Sequence, residues 1–186
     1  MSKLNGFRVA VLATDGVEES ELTEPVQALK KAGAKVTIVS LKPGEIQAVR
    51  HDLDKTIKVK VDRTIEDISA DDFDAVHLPG GTVNADSLRT VPEVQAFLRD
   101  MQAALKPITA ICHAPWELVS AGLVPGRTLT SYHSIQDDVR NAGGAWLDRE
   151  VVADANWVTS RQPEDLPAFN RAMLFLFTGS LIPSTK

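Results

Sequence analysis

The sequence predicts an α/β fold, a mainly parallel central sheet covered by helices on both faces. Two observations predict it. Short apolar runs, each ended by a glycine or polar turn, alternate with longer stretches of helical periodicity. Several runs are apolar throughout, as a strand buried on both faces requires. No internal repeat, low-complexity block or long linker interrupts the pattern. A chain of 186 residues then makes about one domain. A single domain is expected over residues 1–180, with 181–186 as a disordered tail.

The elements follow in order. FRVAVLA reads as a buried strand, and Leu22 to Ala32 as an amphipathic helix stopped by Gly33. KVTIVSL is β-rich. Residues 49–61 contain IKVKV, whose strict alternation predicts a half-exposed strand of a hairpin. DAVHLPGG is a strand ended by glycines. Val91 to Leu105 is helical, PITAI is a strand, and Ala114 to Gly122 is helical. Gly126 to Tyr132 is short and β-like, and Ile135 to Ala142 is a helix closed by Gly143 and Gly144. EVVADANWVTSR reads as two strands about a turn, and Pro163 to Phe177 as the last helix.

Composition narrows the function. The chain is 44% hydrophobic and carries a formal net charge of −5. That balance argues against a surface built to neutralise phosphates, so no nucleic-acid partner is expected. A single cysteine rules out an intrachain disulfide and suits a reducing cytosol. The apolar run from Val9 to Ala13 is too brief for a signal core or a membrane span. A cytoplasmic protein with no membrane partner is expected.

In a parallel sheet, ligands gather outside the carboxyl ends of the strands. Three turns should share that rim: DGVEESE, PGGTVNADS and CHAP. The last places Cys112 where a strand stops and a helix starts. Such an elbow pushes its side chain up and out of the sheet, often at a strained backbone position. The N–H groups of the following helix favour an anion, so the thiol pKa is expected to fall. Pro115 suits a first helical turn, and Ala110 and Ala114 are small enough for close packing. A free cysteine is otherwise a small buried apolar residue; the elbow and His113 beside it favour the reactive reading.

Glu18 and Glu21 lie three residues apart and can share a helical face. If that face meets the elbow, the Glu21 carboxyl lies beside the sulfur, stays protonated and passes protons. Glu19 suits the helix dipole. Gly80 and Gly81 read either as a sharp turn of positive φ or as N–H donors to a developing oxyanion.

Four segments in order, TDGVEESEL, LPGG at 78–81, AICHAP at 110–115 and VVADANWVTSRQPEDLPAF, resemble the ThiJ/PfpI superfamily, also called the Parkinsonism-associated deglycase superfamily. The likeness runs from about Phe7 to Phe177 and is nearest to its PfpI branch of stress proteins and intracellular cysteine peptidases. It implies a flavodoxin-like three-layer sandwich and a homodimer, with hexamers as a further assembly. By position it implies Cys112 as nucleophile, Glu21 as the carboxyl bonded to the sulfur and Glu18 as a second acid near the dimer contact. His113 is implied as the base, oriented by an acid of the neighbouring subunit, for which Asp86 is the best match after one extra residue. Gly81 and the His113 N–H match oxyanion donors, and Tyr132 a pocket tyrosine. The superfamily commonly has glycine where this chain has Ala114, a methyl expected to narrow the approach to the sulfur.

Other readings fit less well. A glutamine amidotransferase needs a late histidine, and none follows His133. No G-x-S-x-G occurs, which argues against a serine hydrolase. Cys112, Glu21 and His113 on separate turns are thin support for a metal, and no dinucleotide fingerprint follows the first strand, so neither metal nor cofactor is expected. His51 and His77 read as structural or solvent-facing, while His133 could line the pocket. Two functions remain. One is a cysteine enzyme attacking reactive carbonyls such as methylglyoxal or their adducts, with peptide hydrolysis as a variant. The other is a redox-sensing or chaperone-like stress protein whose Cys112 is oxidised.

Overall fold

The computed structural model describes residues 3–179; the predicted tail at 181–186 lies outside them. In chain order the strands and helices are β1 (Arg8–Leu12), β2 (Val17–Glu18), α1 (Glu19–Lys31), β3 (Lys35–Ser40), β4 (Glu45–Arg50), β5 (Asp54–Lys60) and β6 (Arg63–Thr64). There follow β7 (Ala75–Leu78), α2 (Thr82–Arg89), α3 (Pro92–Ala103), β8 (Ile108–Ile111), α4 (Pro115–Ser120) and β9 (Thr128–Leu129). The chain continues with α5 (Gln136–Asn141), β10 (Ala145–Trp146), β11 (Val151–Asp154), β12 (Trp157–Ser160) and α6 (Leu166–Phe177).

Seven strands form the central sheet in the order β11-β12-β8-β7-β1-β3-β6. Every pairing in it is parallel except β11 with β12. Alternation along each strand divides the core in two. Ala10 and Leu12 of β1 face the side covered by α2, α3, α4 and α5, where Leu88, Phe97, Leu118 and Val139 are buried. Val9 and Val11 face the side covered by α1 and α6, against Leu29, Phe169 and Met173. The result is the flavodoxin-like three-layer sandwich that the sequence predicts. Beside it, β4 and β5 pair antiparallel into a projecting hairpin, joined to β2.

Two local expectations are corrected. The helix α1 starts at Glu19, with Glu18 extended at its N-cap (φ −67°, ψ 120°), so Glu18 and Glu21 do not share a helical face. The segment PGGTVNADS is not a turn throughout: Gly81, at φ 94°, lets α2 begin at Thr82.

The helix α4 carries Glu117, whose carboxyl is fully buried with neither oxygen partnered among the described residues. Burial pushes its pKa well above the usual 4.5. A folded-state pKa above the unfolded one means folding takes up a proton, so stability is greatest below pH 4.5 and is eroded above it. The slope is about 1.4 kcal/mol per pH unit until the folded pKa is reached. Glu117→Gln cannot ionise. Its stability relative to wild type should therefore rise steadily between pH 5 and pH 7 in urea unfolding. Parallel stability curves would show that Glu117 does not titrate in this way.

Candidate active site

The strand order reverses beside β1: the chain passes from β1 to β3 on one side, then to β7 and β8 on the other. Ligand crevices form at such points. The turns leaving β1, β7 and β8 meet there, and a cavity of about 480 Å³ opens between them. Cys112, His113, Glu18, Glu21, Gly81 and Tyr132 line it, with Arg50, His51, Asp52, Gln162 and Glu164 toward its outer part.

Cys112 is the elbow residue and holds the left-handed conformation at φ 63°. A non-glycine residue there costs about 1–3 kcal/mol and persists only where its surroundings over-determine it. Here the Cys112 N–H donates to the Ser160 carbonyl at 3.1 Å, and its own carbonyl accepts from the Tyr132 N–H at 2.8 Å.

Glu21 reaches the sulfur from α1 and is fully buried. Its Oε2 accepts from the Gly80 N–H at 3.0 Å. The thiol also interacts with the carboxyl, although not as a well-aligned hydrogen bond, and Oε1 has no such partner among the described residues. Contact this close explains Gly80: an added Cβ would lie 2.4 Å from Glu21 Oε2 and 2.6 Å from Cys112 Cβ. Crowding, not positive φ, demands glycine there. At Gly81 both demands hold, since φ is 94° and a Cβ would lie 2.2 Å from the Gly16 carbonyl.

The backbone of Glu21 is pinned by an unusual route. Pro25 lies inside α1 and has no N–H, so the Glu21 carbonyl lacks its i+4 helical donor. The buried His77 Nε2 stands 3.0 Å from that carbonyl, while Nδ1 faces Thr109 Oγ1 at 3.2 Å. Burial pushes the His77 pKa down to about 4, so the ring is neutral and has one hydrogen. Nε2–H donates to Glu21, and Nδ1 accepts from Thr109. The structural reading of His77 stands.

His113 packs flat on Tyr132, ring centroids 4.8 Å apart. Its Nδ1 is 3.2 Å from the Cys112 sulfur, and its Nε2 is 3.3 Å from the Ser134 hydroxyl. Burial lowers the His113 pKa, opposed by the negative charge of Asp52; the ring is a neutral imidazole at pH 7.

Charge is expensive in this pocket. Burial first, and Glu18 second, push the Glu21 pKa well up. Burial first, and a charged Glu21 second, push the Cys112 thiol up, against the N–H groups of Gly81 and His113. This corrects the expected fall in thiol pKa. The sulfur is too well enclosed, and α4, at six residues, too short for its dipole to outweigh desolvation. Burial thus disfavours charge on both the sulfur and the carboxyl, and a base is needed to free the sulfur. Glu18 is likewise raised by burial, offset by the backbone N–H groups of Asp52 and His51.

Other residues fall differently from expectation. Ala114 is wholly buried in the core beneath α2–α5, so its methyl does not narrow the approach to the sulfur. His51 sits at the hairpin tip and lines the cavity, whereas His133 is exposed and touches the site through the Tyr132 ring, centroids 4.4 Å apart. Asp86 is exposed on α2, outside the cavity lining. Asp52, Thr82 and Ser134 surround His113 without any local signature in sequence. Among the described residues no cluster of His, Cys, Asp or Glu could hold a metal ion, and no helix is long and apolar enough to cross a membrane.

Comparison with known proteins places the chain in a family. The DJ-1/PfpI family matches residues 7–175. Protein/nucleic acid deglycase 2 of Escherichia coli (strain K12) is 41% identical over 177 residues, covering 91% of this chain and 96% of that protein. General stress protein 18 of Bacillus subtilis (strain 168) is 40% identical over 172 residues, covering 92% and 98%. The crystal structure of Drosophila melanogaster DJ-1beta superposes with a TM-score of 0.84 at 30% identity, covering 94% of this chain and 91% of that one. A family match over residues 7–175, with relatives about 40% identical along nearly their whole length, shows that the chain belongs to the DJ-1/PfpI family.

Proposed function

We propose that this protein is a cofactor-independent cysteine enzyme of the glyoxalase and deglycase type, acting on reactive carbonyls in the cytoplasm. The observation that carries the reading is the buried Glu21 carboxyl, its proton affinity raised by burial, against the Cys112 sulfur, with the His113 imidazole 3.2 Å away. One carboxyl with raised and one imidazole with lowered proton affinity beside a single nucleophile can pass protons between them near neutral pH.

His113 Nδ1 takes the thiol proton as sulfur attacks an aldehyde carbon. The N–H groups of Gly81 and His113, which already favour charge at the sulfur, stabilise the oxyanion, and Glu21 protonates it to a hemithioacetal. With methylglyoxal, removal of the proton on that carbon and return of a proton to the neighbouring carbon give a thioester. Water hydrolyses it to a hydroxy acid and restores the thiol. The sum is α-ketoaldehyde plus water to α-hydroxy acid, the aldehyde carbon being oxidised as the ketone carbon is reduced, with no external oxidant or reductant. A carbonyl adduct on an amine or thiol joins the same sequence when the sulfur displaces that amine or thiol, which leaves with the proton His113 took from Cys112. The cavity of about 480 Å³ suits a small carbonyl or one modified side chain, and peptide cleavage would use the same attack.

Glu18 and Tyr132 shape the substrate side of the pocket. The exposed Asp86 suits a homodimer contact, where it would face a neighbouring subunit's site. Purified protein in metal-free buffer should consume methylglyoxal and release lactate. No turnover, together with addition of two oxygens to Cys112 by peroxide, would replace this reading with redox sensing.

A further inference from the structure

His113 can accept the thiol proton at Nδ1 only if its own hydrogen sits on Nε2. The Nε2 side of the ring faces two hydroxyls, Ser134 Oγ at 3.3 Å and Thr82 Oγ1 at 3.3 Å, the latter also 3.5 Å from Nδ1. A hydroxyl can donate or accept, so neither hydroxyl alone selects the tautomer. Asp52 removes the ambiguity. Its Oδ2 lies 3.0 Å from Thr82 Oγ1, and its Oδ1 accepts from the Thr82 N–H at 2.8 Å. A carboxylate only accepts, so the Thr82 hydroxyl hydrogen is committed to Asp52. What Thr82 then offers the imidazole is a lone pair, nearer Nε2 than Nδ1, and because Nδ1 faces the Cys112 sulfur at 3.2 Å the hydrogen it takes is the one on Nε2.

The hairpin turn is what brings Asp52 to this place. His51 and Asp52 are consecutive non-glycine residues at φ 53° and 62°, at the tip of the β4–β5 hairpin. They are the central residues of the turn that closes the hairpin, where the Leu53 N–H donates to the Arg50 carbonyl at 3.2 Å, and a tight hairpin turn requires left-handed backbone at both. The Asp52 carboxylate on Thr82, and the Glu18 carboxyl near the N–H groups of Asp52 and His51, tie that turn to the site. The hairpin tip is thus bent down onto the first turn of α2, beside the cavity.

We infer that Asp52 and Thr82 are positioning residues that set the His113 tautomer from within the same chain, leaving Nδ1 bare toward Cys112. The inference rests on His113 acting as the base, and it assigns a role to the hairpin tip that needs no neighbouring subunit.

The test is the ¹⁵N spectrum of the His113 ring in labelled protein, assigned by its loss in His113→Phe. Wild type should show a protonated Nε2 and a bare Nδ1. In Asp52→Asn, the amide NH₂ can donate to Thr82 Oγ1 and turn the hydroxyl hydrogen toward the ring; the Nδ1–H tautomer should grow. Thr82→Val should also lose the Nε2–H preference, and Thr82→Ser should keep it. Turnover should follow the tautomer, falling about 10²-fold in kcat for Asp52→Asn and Thr82→Val with KM little changed, and staying near wild type in Thr82→Ser. An Nδ1–H tautomer in wild type, or one unchanged in both Asp52→Asn and Thr82→Val, overturns the relay. If the tautomer responds as expected but wild type consumes no aldehyde, the relay stands and the enzyme reading fails.

Discussion

Cys112→Ala is expected to abolish carbonyl consumption, by at least ~10³-fold in kcat, while the protein stays folded. The side chain is small and 7% exposed, and its backbone hydrogen bonds to Ser160 and Tyr132 use main-chain atoms that alanine keeps. Loss of activity would therefore report loss of the attacking atom. Cys112→Ser should be nearly as inactive, because a buried hydroxyl is far harder to deprotonate than a thiol and His113, its proton affinity lowered by burial, is a weak base. Initial rates with methylglyoxal, alongside circular dichroism, check both variants. A rate within tenfold of wild type in Cys112→Ala would move the chemistry to another group.

Glu21→Gln should have opposite effects on activity and stability. Glutamine keeps the size and a neutral amide, and its carbonyl can still accept from the Gly80 N–H. It cannot release or take up the proton that the hemithioacetal steps use, so kcat should fall by about 10²–10⁴-fold. The stability effect follows from the pKa direction. The Glu21 pKa is raised in the folded state, so its contribution is fully present below the unfolded value and is lost as pH rises toward the folded value. The glutamine variant escapes that loss and should be the more stable protein at pH 7–8, measured by urea unfolding. Retained activity would reduce Glu21 to a packing residue. Equal stability at all pH values would show that the carboxyl does not hold its proton.

The elements that sequence reading located best were those with one strong signal. The apolar runs of β1, β7 and β8 are apolar because both faces of a covered sheet must be, and the turn after β8 carries proline and small residues that suit an elbow. Helix starts were less legible. Glu18 is extended because it pairs with Val49 in the side sheet, a contact 31 residues away in the chain. The start of α2 depends on a glycine conformation that reads equally as a turn.

The site divided along the same line. Cys112, His113, Glu21 and Gly81 were recognisable because each lies at the end of an element whose direction periodicity reveals. Asp52 and Ser134 were not, and neither was the link between Pro25 and His77. Each depends on which segments a non-local sheet order brings together, and no local pattern records that.

By itself, then, the sequence determined the class of fold, the candidate nucleophile and the rim proposed for the chemistry, since these follow from short-range periodicity and turn stereochemistry. Tertiary structure alone decided how hard the sulfur is to ionise and which hydroxyl faces the imidazole. Desolvation and hydrogen-bond direction depend on neighbours distant in the chain, and in this pocket enclosure of the sulfur outweighs the pull of a six-residue helix.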